Sequence, residues 1–108
     1  MESILTSVKL VLNISEDYEH YDPDILMHIN SVFMILRQIG IGPEEGFSIK
    51  DKTTTWGEYI STDKIEAVKT YVGLKVKLIF DPPSSSIAVD AINRTLTELE
   101  WRLNLEME

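Results

Sequence analysis

Along residues 63–80, DKIEAVKTYVGLKVKLIF, the apolar positions fall into two neighbouring rows. One row runs Ile65, Val68, Val72, Val76, Ile79, and the second runs Ala67, Tyr71, Leu74, Leu78. Steps of three and four are the helical period, and two adjacent rows make a helix apolar over more than half its circumference. Such a helix belongs at the centre of a fold, covered by several neighbours. Lys64, Lys69, Lys75 and Lys77 can lay their stems along the packed faces and keep their ammonium heads in water. Thr62 or Asp63 is the expected N-cap, and Glu66 stands three residues after Asp63 in capping-box spacing. Pro82 forces Asp81 out of helical angles, and Pro83 repeats the break.

Three further segments carry the same period. Residues 3–12, SILTSVKLVL, predict a short amphipathic helix with Ile4, Val8, Val11 and Leu12 as its stripe and Asn13 as its end. A polar link follows, with five acids between Glu16 and Asp24, and Tyr18 and Tyr21 are expected to clamp it to the body. Asp22-Pro23-Asp24 is a helix start: cap, proline in the first turn, then an acid near the positive end of the helix dipole. That helix is expected to run to Ile39 on the stripe Ile25, Ile29, Val32, Leu36, Ile39, widened by Leu26 and Phe33. Gly40 and Gly42-Pro43 end it. After Pro83 the serines 84–86 supply caps for a last helix, expected from Ser86 to Leu103, with the seam Ala88, Ile92, Leu96, Leu99, Leu103. Trp101 and Leu105 lie off that seam.

Between Gly42 and Thr55 no period exists, so a long connection is expected, with an extended piece at Phe47–Ile49. Residues 55–60 suit one or two helical turns. The expectation is an all-α fold: a compact bundle of four main helices plus a short extra turn, with one long loop.

Composition sharpens this. A chain of 108 residues with 44% hydrophobic positions makes one domain, 1–108, with a real core. It has no cysteine, which suits a reducing cytoplasm. Met1-Glu2-Ser3-Ile4 offers no basic n-region, so no signal peptide is expected. No apolar run is long enough to span a bilayer, so no membrane partner is expected. The net charge of −8 argues against a protein that grips duplex DNA or an anionic membrane, since phosphate binding needs clustered Lys and Arg. Such a surface lets DNA slide past without sticking.

Candidate chemistry is sparse. His20, Asp22, Asp24 and His28 form the best metal-like set, with Asp24 and His28 on one helix face. The expected reading is capping acids and surface histidines. Ser84–Ser86 lack a nucleophile elbow and read as caps. No Gly-rich loop precedes Lys-Ser or Lys-Thr, so no phosphate cradle is expected. Glu44/Glu45 and Glu98/Glu100 are paired acids with nothing to place them in an apolar pocket. Met27 and Met34, seven apart on one face, read as core or interface filler. No catalysis and no cofactor are expected.

Several stretches together resemble a known family. They are ILTSVKLVLNI, DPDILMHINSVFMILRQIGIG, IEAVKTYVGLKVKLIFDPPSSSIAVDAI and ELEWRL. The chain resembles the small head-tail connector proteins of tailed bacteriophages and prophages over nearly its whole length. INSVFMILRQIGIGP and AVKTYVGLKVKLIFDPP are the most specific parts. The resemblance implies a non-enzymatic, mostly helical protein. It implies a homo-oligomeric ring beneath the portal protein, joining the DNA-filled head to the tail or a tail-side stopper, with DNA only as passing cargo. The implied locations are the bacterial cytoplasm during assembly and the virion neck afterwards. The alternative is a small DNA-packaging accessory that binds the packaging machinery. A ring subunit needs two different faces that complement each other head to tail. The connection Gly42–Thr55 and the end after Leu99 look least committed to the core. Subunit contacts are therefore expected at Trp101, Arg102, Leu105, Trp56 and Phe47, with Trp101 as anchor.

Overall fold

The computed structural model describes residues 2–60 and 64–106, the side chains at 105 and 106 excepted. Among the described residues five helices follow one another: α1 (Ile4–Val11), α2 (Asp22–Gln38), α3 (Trp56–Tyr59), α4 (Ile65–Phe80) and α5 (Ser86–Glu106). The all-α expectation holds. Among the described residues the sole β-type pairing is an isolated antiparallel bridge between Ser3 and Thr55.

The two apolar rows place α4 as expected. It packs against α1, α2 and α5, and it buries Val68, Tyr71, Val72, Gly73 and Val76. Gly73 permits the close crossing of α1: a Cβ there would lie 2.9 Å from Val11 Cγ2. Asp81, held before Pro82 at φ −149 and ψ 68, ends the helix. The expected caps Thr62 and Asp63 lie outside the described residues.

Local signals explain the other boundaries. The Ser3 hydroxyl accepts a hydrogen bond from the Thr6 amide at 3.2 Å and caps α1. Asn13 takes φ 63, a left-handed conformation that asparagine tolerates, and turns the chain away. Val11 belongs to the expected stripe but is half in solvent, while Leu5 is buried in its place. In α2 the proline is in the first turn as expected, but Tyr21, not Asp22, is the N-cap residue. Asp22 is drawn elsewhere, to Lys9. The last helix runs three residues beyond the expected Leu103, to Glu106.

Lys9 is the unexpected core residue. It is 2% exposed. Its ammonium donates to the backbone carbonyls of Tyr18 at 2.7 Å and Glu16 at 3.1 Å, and it pairs with Asp22 Oδ1 at 2.8 Å. Asp22 Oδ1 receives no well-aligned hydrogen bond, so that contact acts through charge. The acidic link is therefore fastened from beneath by one cation. The tyrosines contribute less than expected: Tyr21 meets the Phe80 ring edge-on at 5.4 Å, while Tyr18 stays largely in solvent.

The long connection is also committed to the core. The Asn30 side chain of α2 donates from Nδ2 to the Ile49 carbonyl at 3.0 Å, and its Oδ1 accepts from the Ile49 amide at 2.8 Å. One side chain thus satisfies a backbone pair that a neighbouring strand would otherwise satisfy. No strand forms at Phe47–Ile49. Ile41 and Ile49 are buried, and Phe47 stacks against Phe33 and Tyr59 at 5.4 and 4.9 Å between ring centroids. The connection then pairs with the start of the chain: the Ile4 amide donates to Thr54 O and the Trp56 amide to Glu2 O, both at 3.1 Å. The expectation that Gly42–Thr55 lies loose is corrected.

Candidate interaction surfaces

The two faces of α5 differ sharply. Inward, Leu96 and Leu103 are buried and Ile92 and Leu99 are half-buried, as the seam requires. Outward, Ile87, Ala91, Arg94, Glu98 and Trp101 all lie in solvent, with Ile87 at 79% and Trp101 at 64% exposure. Trp101 lines a shallow, mostly apolar groove with Asn93, Arg94, Thr97 and Glu98. Arg102 Nε and Nη2 both donate to Glu98 Oε1, at 3.0 and 2.8 Å. This exposed i,i+4 pair stiffens the helix by only ~0.3–0.5 kcal/mol.

The other edge of α5 is tied to α4. The Tyr71 hydroxyl donates to Glu100 Oε2 at 2.6 Å, and Lys75 stands 3.7 Å from the same oxygen. Burial pushes the Tyr71 phenol well above its ordinary range, and the adjacent carboxylate adds to the shift. Glu100 is therefore a structural acceptor, whereas Glu98 faces solvent.

A second exposed apolar area lies on α2. Met27 and Met34 are both mostly exposed and border an open depression with Pro23, Leu26, Asn30, Ser31, Ile49 and Lys50. Core filler, one of the two readings of these methionines, is overturned. A third area lies on α1, where Leu10 projects into solvent beside Val11. Near it Lys69 contacts Glu2 Oε1 at 2.6 Å, which lowers the Glu2 carboxyl and raises the Lys69 ammonium.

The expected contact residues separate into two groups. Trp101 and Arg102 share the exposed end of α5. Leu105 continues that helix, but its side chain is outside the described set. Trp56 is not exposed: it is 1% accessible, and its indole Nε1 donates to Ser7 Oγ at 3.0 Å between α3 and α1. Phe47 is half-buried in the ring stack with Phe33 and Tyr59. Trp56 is corrected to a core position, because α3 is packed onto α1, while Phe47 lies at the edge of the core where the connection is drawn onto α2. Ile87, missed as a surface residue, was legible as the residue just outside the Ala88–Leu103 seam.

The metal-like set is dispersed. Asp22 is engaged by Lys9, His20 meets the Tyr21 ring edge-on at 4.8 Å, and His28 meets Phe80 at 6.2 Å. Among the described residues no three His, Cys, Asp or Glu stand together as a metal site would require. Also among them, no helix is long and apolar enough to cross a membrane.

Comparison with known proteins gives one match. The family model described as "Phage connector protein" matches residues 4–108. No curated protein and no solved structure matches. The matched span takes in all five helices, from the Ser3-capped α1 through the central α4 to the exposed end of α5. The chain belongs to the phage connector protein family.

Proposed function

We propose that this protein is a structural subunit of the phage or prophage neck. It assembles as a homo-oligomeric ring under the portal protein and joins the DNA-filled head to the tail or a tail-side stopper. The family match over residues 4–108 carries this reading. The surface supports it: two exposed apolar areas, Ile87/Trp101 on α5 and Met27/Met34 on α2, lie on different helices, as a head-to-tail contact requires. The net charge of −8 suits a wall past which DNA moves as cargo without being held. The protein acts without cofactor or catalysis, in the host cytoplasm during assembly and in the virion neck afterwards.

Trp101 is the proposed anchor of the subunit contact, with Arg102 beside it, since large aromatic groups dominate interface energies. The test is electron microscopy of the protein mixed with its portal, wild type against Trp101→Ala. Rings are expected on the portal for wild type. The variant should keep its melting temperature within a few degrees and lose the rings. Wild-type protein that never joins the portal would sink the connector reading. Rings formed by the variant would remove Trp101 as anchor.

A further inference from the structure

The exposed row of α5 has a regular register. Ile87, Ala91, Arg94, Glu98 and Trp101 follow one another in steps of four and three, and position 105 comes next. Steps alternating four and three are the repeat of a helix that packs along its length against another helix. The core seam, Ile92, Leu96, Leu99, Leu103, already occupies the opposite side. The helix thus carries two packing rows, and the fold uses one.

The residues in the outward row are complementary to themselves in reverse order. With the row laid antiparallel on its own copy and the two-fold axis beside residue 96, Arg94 falls opposite the partner's Glu98. Glu98 in turn falls opposite the partner's Arg94. Ala91, the smallest group in the row, falls opposite the partner's Trp101, the largest, and Ile87 falls opposite position 105. Next to the axis stand Thr95 and Thr97, both short and exposed. A parallel pairing would set Arg94 on Arg94, Glu98 on Glu98 and Trp101 on Trp101, two like-charge layers and one steric collision. Arg94 has no hydrogen-bond or ion-pair partner among the described residues, so it is available. Glu98 receives Arg102 through Oε1 alone, which leaves Oε2 for the partner's Arg94. From residue 87 to 105 the row is about 27 Å long at the helical rise.

We propose that the free protein forms a two-fold dimer through antiparallel pairing of α5 with a second copy. The contact is isologous, so it closes at two subunits and cannot propagate into a filament or a ring. It covers Trp101 in the unassembled protein. With a charged layer at its centre and a single-helix footprint, it is a weak interface of the transient class. The inference does not depend on the head-tail role, because it concerns the protein without portal or tail.

Sedimentation of the whole chain from ~1 to ~200 μM, with far-UV circular dichroism to verify folding, tests it. A monomer at low concentration and a dimer at high concentration are expected for wild type. Arg94→Glu should raise the dissociation constant at least ~10-fold, since it sets four acids together, and Glu98→Arg should do the same. The double swap Arg94→Glu/Glu98→Arg, made together with Arg102→Gln so that no like charge stands one turn away, restores the opposite-charge layers and should recover dimerisation to within ~3-fold of Arg102→Gln alone. A wild type that stays monomeric at ~200 μM overturns the proposal. Dimers indifferent to the single reversals, or reversals not rescued by the double swap, overturn it as well and assign the contact to another surface.

Discussion

Replacing Lys9 by methionine asks how strongly one buried cation holds the acidic link. Methionine keeps most of the apolar stem volume and removes the ammonium. Two carbonyls then lose their donor, Tyr18 O at 2.7 Å and Glu16 O at 3.1 Å, and Asp22 Oδ1 loses the cation that stands 2.8 Å away in the native protein. Breaking a buried pair by removing one partner costs ~3–5 kcal/mol. Two features bring this case to the low end. The Asp22 side chain keeps 17% of its surface in water, and Asp22 sits in the first turn of α2, where free amides and the helix dipole favour an anion. A loss of ~3 kcal/mol is expected, which lowers the melting temperature by ~12 °C at ~4 °C per kcal/mol for a domain of this size. Urea and thermal denaturation followed at 222 nm measure it. A cycle with Asp22→Asn and the double variant isolates the pair, with a coupling of ~1–3 kcal/mol expected for residues in direct contact. A Lys9→Met loss under ~1 kcal/mol, with additivity within ~0.5 kcal/mol, would refute the reasoning and reduce Lys9 to an apolar stem.

Gly73→Ala gains ~1 kcal/mol of helix propensity but drives a methyl to 2.9 Å from Val11 Cγ2, a stiff β-branched neighbour. Overpacking costs ~1–3 kcal/mol, so net destabilisation of ~1 kcal/mol is expected in wild type and net stabilisation in a Val11→Ala background; stabilisation in both would show that the crossing is looser than described. Burial raises the phenol pKa of both Tyr59 and Tyr71. A group whose folded pKa is raised stabilises fully below its unfolded pKa, so this contribution is intact up to about pH 10 and is lost as pH climbs above it. Absorbance at 295 nm should show a late, unfolding-linked step that Tyr71→Phe reduces; titration of both groups near pH 10 with the fold intact would contradict it. Trp56→Phe removes the indole donor to Ser7 Oγ and leaves a void between α1 and α3, so a loss of ~2 kcal/mol in urea melts is expected, and a neutral effect would deny Trp56 its core role.

The helices were legible because their burial repeats. Each main helix meets its neighbours along one side, so Ile25, Ile29, Val32 and Leu36 recur at the helical period and announce both the element and its inner face. The connection 42–55 has no period to show. Its place is fixed by the Asn30 amide, by backbone pairing of its end with residues 2–4, and by isolated apolar residues, Phe47 and Ile49 with Ile41 just before them, each finding a separate niche. Nothing in spacing distinguishes such residues from exposed ones, and Trp56, in the short turn that follows, passed for a surface group in the same way. Lys9 escaped notice for a related reason. A lysine beside an apolar stripe usually reaches water, and its burial depends on carbonyls at Glu16 and Tyr18 that only the folded turn brings beneath it. Trp101 was legible as an off-seam residue, and its exposure settles it outside the core of the single chain.

The position of α5 on one side of α4 also shapes how the molecule comes apart. The helices α1, α2 and α4 pack against one another, and the pairing of residues 2–4 with 54–56 stitches the connection into the same unit. The substantial packing of α5, by contrast, is with α4 alone. A fluctuation that lifts α5 gives up Leu96, Leu103 and the Tyr71–Glu100 hydrogen bond but leaves the three-helix unit assembled. Two cooperative tiers are therefore expected, with amide protons of α5 exchanging through a sub-global opening of lower free energy than those of α2 and α4. The helix that bears Trp101 is thus also the one the fold can release at least cost.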